Sequence, residues 1–600
     1  MDWNLESYFD AFDSASYRRF KADLGATLEG VRARIEAQED VEPAAFAGWE
    51  AIVLGFEECI RRVSHLTSYL ECLVAADAAN EDYRREFAAL ALHAAELKKL
   101  EVSLVDRIGS ARHDHFEAFL KRDALSGAEF SVRRWREKAR KVMPPAEESL
   151  AADLEVDGLK AWSRLYDTVS GTLEFVLRRG DGQNERVPIA RRRALMASPD
   201  RTVRQAAFVG GNEAWQQVAD TCAAALNAIA GARLTLSARR GERHFLESAL
   251  FEHRLGMASL DALQEALVER AEVARDMLRW KAQRLGVPAV AWFDLEAPTP
   301  GIGDADTGRL SWEEGVTRVD TAFSRGYPAL GEFFRAAVAG RWFDYTSRRG
   351  KRPGAFCTGS EITHESRVFM TWEGGMNDVV TLAHEVGHAW HSHILRTARP
   401  LAFGYPMTLA ESASTFGEML LLDGLLEDPA VPDAAKLALL DSQARQAMAF
   451  LLDVPARFEF ERSFHEERSH GELSVGRLKE LMTAAQQKFF GDALAPGQED
   501  PLFWASKLHF YIADVSFYNF PYTVGFLLSR ALFARYKAEG AAFLPVYETF
   551  LARSGSATCE MLAREVLGAD LESKVFWSDA IDSVAPVGRR LAGLVSAPQA

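Results

Sequence analysis

"TLAHEVGHAWHSH", residues 381–393, sets four histidines and one glutamate within thirteen positions of a chain that has 14 histidines in 600 residues. Such crowding marks either a solvated polar helix face or a metal site. His384, Glu385 and His388 form H-E-x-x-H. Histidines four positions apart share a helix face and can reach one ion, and the glutamate between them is placed to handle a water's proton. A motif this short recurs by chance, so its surroundings decide. "SRVFMTW" (366–372) reads as a strand with Val368, Met370 and Trp372 on one face. "GGMND" (374–378) reads as a turn with Asn377 or Asp378 as N-cap, and "VVTLA" (379–383) carries the helix into a core. An inward-facing histidine pair there is costly without partners, and a metal supplies them. Gly387 leaves room for another backbone to approach.

A catalytic zinc site usually has three protein ligands and one open position. The metzincin continuation is excluded, because His391 and Ile394 stand where its glycine and third histidine belong. The next helix, "PMTLAESASTFGEMLLLDGLL" (406–426), offers Glu411 and Glu418. The small residues after Glu411 permit close helix packing, so Glu411 is the expected third ligand. Glu418, two turns on, is expected to orient a ligand from behind. His391 and His393 are expected at the surface or in support. His/His/Glu at this spacing suits a single zinc ion. Cys357 could close a structural, four-ligand site, but such a site has no use for Glu385.

The length implies two or three lobes. A net charge of −16, from 86 acids against 70 bases, disfavours nucleic acid and anionic membrane as partners. Five scattered cysteines without a CxxC pair suit a reducing cytosol, and the acidic start lacks a signal-peptide pattern. A cytoplasmic location is expected. Helical periodicity dominates, as in "SASYRRFKADLGATLEGVRARIEAQ" (14–38), "YRREFAALALHAAELKKLEVSLVDRI" (83–108) and a helix over 257–286 that stops at Gly286. A Pro/Gly-rich interruption (297–310) leads to a capping box at Ser311 and Glu314. "VPAVAWFDL" (287–295) reads as a second short strand. The polar, basic stretch 180–205 suggests a boundary between a helical lobe, 1–195, and the lobe 196–600 that carries the motif. Arg191 to Arg193 within it read as a solvated helix start.

Beyond "HEVGHAWH" (384–391), the segments "GKRPGAFCTGS" (350–360), "AESAST" (410–415), "WFDLEAP" (292–298), "GRWFDY" (340–345), "LHFYIADVSFYNFPYTVGFLLS" (508–529) and "WNLESYFDAFDSASYRRF" (3–20) resemble the oligoendopeptidase F / thimet oligopeptidase family of zinc metallopeptidases. The likeness covers nearly the whole chain and is most specific over 340–530. It implies a mainly α, two-lobed, clam-like zincin with a small β-sheet near the active site and a deep channel for short peptides, residues 196–600 forming the peptidase domain. It makes His384, His388 and Glu411 ligands and Glu385 the base. It assigns Gly354, Ala355 and Phe356 to substrate binding, and His509, Tyr511, Tyr518 and Tyr522 to the side of the tetrahedral intermediate. Tyr522, just before "TVG", is the foremost tyrosine; Tyr511 and Tyr518 compete for a second role at a spacing that departs from the thimet branch. The expected activity is zinc-dependent cleavage of internal bonds in short peptides, the strand 367–372 pairing with extended substrate. The alternatives are a zinc carboxypeptidase or aminopeptidase, and a non-catalytic zinc-stabilised peptide-binding protein.

Overall fold

The computed structural model describes residues 1–180, 182, 184–302 and 309–596. Positions 303–308 of the Pro/Gly-rich interruption lie outside the described residues. Packing sorts the chain into two units that do not follow chain order. The first comprises Met1–Val142, Gly308–Pro429 and Leu532–Ala569; the second comprises Met143–Thr307, Ala430–Ala531 and Asp570–Ala600. This differs from the expected cut at residue 195, because 180–205 sits inside the second unit. That stretch includes one strand of an antiparallel hairpin, β1 (Glu174–Arg178) and β2 (Asn184–Pro188). A solvated hairpin has the same polar composition as a linker, and only its pairing tells them apart. Arg192 also departs from the solvated reading: it is buried and donates to Asn212 (2.7 Å) and Asp500 (3.1 Å).

In the first unit, α1 (Ala15–Ala37) starts at Ser14, whose hydroxyl accepts from the Tyr17 N–H, and buries Tyr17, Leu24, Leu28, Val31 and Ile35 at helical spacing. It packs with α2 (Phe46–Ala76) and α3 (Glu81–Gly109) around Trp49, Phe56 and Leu104. Three strands follow: β3 (Phe343–Thr346), β4 (Phe356–Ser360) and β5 (Glu365–Trp372), in the order β3-β5-β4. β5 runs parallel to β3 and antiparallel to β4, with Phe356 opposite Phe369. Val368, Phe369 and Met370 are all buried, so both faces of β5 are covered rather than one. Its central place leaves this strand little free backbone for the expected pairing with substrate, since residues 365–369 pair with β4 and 368–372 with β3. Among the three strands, β4 is an edge.

α4 (Met376–Leu395) carries the histidines and α5 (Met407–Glu427) the two glutamates. Gly375 takes the N-cap position expected for Asn377 or Asp378. Asp378 instead works from the third helical position, accepting N–H bonds from Glu373 (2.8 Å) and Gly375 (3.0 Å). The helices meet backbone to backbone. A Cβ on Gly387 would stand 2.5 Å from the Ala413 oxygen and from Ser414 Cα, and one on Gly417 would stand 2.9 Å from the Ala383 oxygen. Behind them α6 (Leu544–Arg553) supplies Tyr547, whose hydroxyl donates to the Ser412 carbonyl (3.2 Å). The helix Trp312–Gly326 opens with the expected Ser311/Glu314 capping box.

In the second unit, helices Leu159–Thr172, Ala219–Arg239, Val454–Arg468 and Val475–Phe490 enclose a core that includes Phe460, Phe464, Trp504 and Tyr511. The helix expected over 257–286 breaks into Met257–Glu269 and Glu272–Leu285 before its stop at Gly286. "VPAVAWFDL" is not a strand: it makes one bridge, Val290 to Leu494, then a tight turn at Trp292–Asp294 whose buried Asp294 accepts from Arg201 and Arg204. Among the described residues no partner strand lies alongside to turn its apolar residues into a ladder. No helix among the described residues is long and apolar enough to cross a membrane.

The contact at Gly387 gives a test. Gly387→Ala must push two backbones apart, costing on the order of 1–3 kcal/mol. A Cβ at Gly404 meets nothing within 4 Å, which makes Gly404→Ala the control. Thermal melts should show the first variant well below wild type and the second close to it.

Candidate metal centre

His384 and His388 lie one turn apart on α4, and their Nε2 atoms face each other at 3.2 Å. Glu411 Oε2, on α5, stands 3.5 Å from the first and 3.8 Å from the second. Donors about 2.0–2.2 Å from a tetrahedral ion stand about 3.3–3.6 Å apart, so the three atoms suit one zinc between them. Among the described residues this is the one His/Cys/Asp/Glu group with ligand atoms all within 4.8 Å of one another, and it has three members. Cys357 is not one of them, so a shell closed by four protein ligands does not form. Roughly a quarter of each of these side chains stays exposed: 27% for His384, 22% for His388 and 25% for Glu411.

Two of the three side chains are held from behind. Glu418 Oε1 lies 2.5 Å from His384 Nδ1. With a proton shared on that side, Nε2 is left as the lone-pair donor. Ser414 donates to Glu411 Oε2 (2.6 Å). Burial opposes charge on His384, but the Glu418 hydrogen bond and the Glu418, Glu411 and Glu385 carboxylates outweigh it and raise the group to about 9. Burial, with His384 beside it, lowers His388 to about 4. The cluster therefore calls for positive charge where the two Nε2 atoms meet. Burial pushes Glu385 up to about 7; His384 opposes this, and Glu411 and Glu418 add to it. Its Oε2 is buried without a hydrogen-bond partner. Two convergent lone pairs, a carboxylate and an orphaned acid oxygen are the donor chemistry a divalent cation fits.

The other expected residues divide. His391 is not at the surface: it is fully buried, stacked on Tyr405 at 4.0 Å, with Nε2 2.8 Å from Ser554 Oγ. His393 is half-buried between Phe333 and Trp390. Gly354 and Ala355 are exposed, and Phe356 opens the edge strand β4, stacked on Phe369. His509, Tyr511, Tyr518 and Tyr522 belong to the second unit. Tyr518 stacks on His509 (5.8 Å) and meets Tyr522 edge to face (5.5 Å). Tyr511 does not join them. It is fully buried, stacked 3.7 Å from Tyr166, its hydroxyl unpartnered in the core. Two residues that no local sequence pattern marks hold this segment. Arg233 donates to the carbonyls of Ile512, Ala513 (3.2 Å) and Val515 (2.7 Å). Glu461 accepts from the Phe517 N–H (2.9 Å), where the backbone turns to φ 53°. Both are ordinary helix residues in sequence, and nothing local marks them.

Comparison with known proteins is consistent with this geometry. Residues 325–582 match Peptidase family M3 and residues 108–175 match Oligopeptidase F. An oligoendopeptidase F homolog of Lactococcus lactis subsp. lactis is 27% identical over 386 residues, 63% of this chain and 62% of that protein. The oligopeptidase PepF of Bacillus subtilis is 24% identical over 479 residues, 78% of this chain and 69% of that protein. The match thus spans less than two thirds of the Lactococcus protein's length. Among solved structures, a chain from Chlamydophila abortus superposes with a TM-score of 0.82 at 18% identity, covering 98% of each chain. Oligoendopeptidase-F from Enterococcus faecium gives 0.69 at 17% identity, over 97% of this chain and 99% of that one. These two likenesses concern the fold.

Metal analysis of the purified chain should find one zinc. His384→Ala, His388→Ala and Glu411→Ala should each abolish retention, and Cys357→Ala should not. Glu418→Ala should weaken affinity by about 10–100-fold, the usual cost of losing a ligand's hydrogen-bonded support. Full retention in Glu411→Ala would contradict the assignment.

Proposed function

Because the chain belongs to peptidase family M3, with an oligopeptidase F segment ahead of the M3 region, we propose that it is a zinc-dependent oligoendopeptidase that hydrolyses internal bonds of short peptides. The observation that carries this reading is the convergence of His384, His388 and Glu411 beside the buried, unpartnered oxygen of Glu385.

When bound, zinc supplies Lewis-acid polarisation of a carbonyl and makes a water more acidic. The chain's own groups do the rest. Glu385 Oε2, with no competing hydrogen bond, takes a proton from the attacking water and passes it to the departing amine. In the metal-free chain, burial raises its proton affinity to near neutrality. Glu418 holds His384 in one tautomer throughout. An extended peptide adds to the free edge of β4, where Gly354, Ala355 and Phe356 lead in, and not to β5. Main-chain pairing reads little side-chain identity, so length rather than sequence limits the substrate. Tyr518 and Tyr522, with His509 beside them, form a cluster within the second unit, and only the family resemblance gives these phenols the oxyanion role. Burial, followed by Lys507 and Arg457, lowers His509 to about 4, so it acts as a neutral imidazole. Tyr511, sealed in the core, takes no part.

Glu385→Gln should keep its zinc and lose nearly all turnover of a quenched fluorescent peptide. Mass spectrometry of a peptide blocked at both ends should show internal cuts. Intact turnover in the variant would remove Glu385 as the base, and failure to cut the blocked peptide would favour an exopeptidase.

The chelated protein offers a pH test. Glu385 sits at about 7 in the fold against its ordinary 4.5, so the folded state holds more protons between these values. Its burden on stability is absent below pH 4.5, grows as pH rises and is complete above about 7. Urea denaturation at pH 5 and pH 8 should show Glu385→Gln gaining on wild type at the higher pH. A gap that does not change with pH would contradict the burial of this acid.

A further inference from the structure

The second unit holds a cavity of about 670 Å³, within the range of small-molecule sites. The helices Leu159–Thr172, Asp433–Met448 and Val454–Arg468 contribute to its wall, and Trp215, Trp292 and Phe503 line it with rings. Trp292 and Phe503 meet edge to face at 5.0 Å, leaving a rigid apolar surface. The lining is also rich in cations. Arg192, Arg445 and Arg457 each have a carboxylate, from Asp500 (3.1 Å), Asp441 (2.8 Å) and Asp453 respectively.

Lys507 is different. Among the described residues its ammonium has neither an ion-pair partner nor a side-chain hydrogen bond, and it lies 5.7 Å from the Phe503 ring centre. Arg193, also on the wall, is likewise without a carboxylate. Burial, then Arg457 and Arg193, pull Lys507 down to about 8 against the opposing pull of Asp453 and Glu296. It is therefore still charged at pH 7. The remaining lining acids, Asp167 and Glu296, are exposed. A cation half-withdrawn from water beside aromatic rings, without a carboxylate in ion-pair contact, gains from an anion placed on it.

We propose that this cavity binds a carboxylate carried on an apolar or aromatic body, the carboxylate on Lys507 and the body against Trp215, Trp292 and Phe503. Such a group comes either from a free small acid or from the C-terminus of a peptide. The rings favour a flat or branched hydrocarbon body, and the unpaired ammonium selects acid over amide.

N-acetyl-L-phenylalanine and its amide, titrated against the full chain by tryptophan fluorescence, separate charge from shape. The acid should bind at least about ten-fold more tightly than the amide, as a charge-assisted hydrogen bond implies. Lys507→Met should bring the acid down to the amide's level, and Lys507→Arg should restore the preference. Should Lys507→Met not fold, the acid-to-amide ratio in wild type and Lys507→Arg still decides. Two peptides that differ only in a terminal carboxylate or amide then identify the source. If the source is the substrate's terminus, Lys507→Met raises KM about ten-fold for the acid peptide alone. If it is a free acid, probe binding is lost and both KM values stay put. Equal binding of acid and amide by wild type, or unchanged acid affinity in Lys507→Met, would overturn the proposal. The binding measurements need no catalysis, so they stand apart from the peptidase reading.

Discussion

Everything at the metal centre depends on two helix backbones touching. Gly387 on one helix and the Ala413–Ser414 backbone on the other leave no space for a Cβ, and Gly417 repeats the condition against Ala383. Only at that separation does a glutamate early in the second helix reach the histidine pair of the first. The run Ser412 to Thr415 is small for the same reason: a larger residue would hold Glu411 away from the two imidazoles. Packing, rather than any one ligand, sets the site's dimensions.

Electrostatics then gives the packed site its character. Glu385, Glu411 and Glu418 surround two imidazoles, a charge excess that a divalent cation balances. The three carboxylates are not equivalent. Glu418 is tied to His384, Glu411 is steadied by Ser414, and Glu385 keeps one oxygen without a partner. In the proposed function, orientation, ligation and proton transfer thereby fall to different residues of the same type, distinguished by what each one touches.

The parts that the sequence made legible are those written in short periods. H-E-x-x-H, the choice of Glu411 over other acids, Glu418 behind it and the close approach at Gly387 all follow from helical spacing on two neighbouring elements. What it hid depends on distant partners. Nothing within "SRVFMTW" says that β3 and β4 flank it, so a central strand was read as a free one. Tyr511 and Tyr518 look alike in "LHFYIADVSFYNFPYTVG" until Tyr166 is seen stacked on the first. The interleaving of three chain segments into each unit leaves no compositional trace, because each segment is an ordinary helical stretch. Arg233 and Glu461 secure the loop before Tyr518 from positions far away in the chain, and no local pattern singles them out.

X-ray absorption at the zinc edge of the loaded protein tests the central claim most directly. An ion held by His384, His388 and Glu411 requires two imidazole nitrogens and light oxygen donors at about 2.0–2.2 Å, with one corner left to exchangeable solvent. A sulfur scatterer at about 2.3 Å, or a shell filled by four protein atoms, would contradict it.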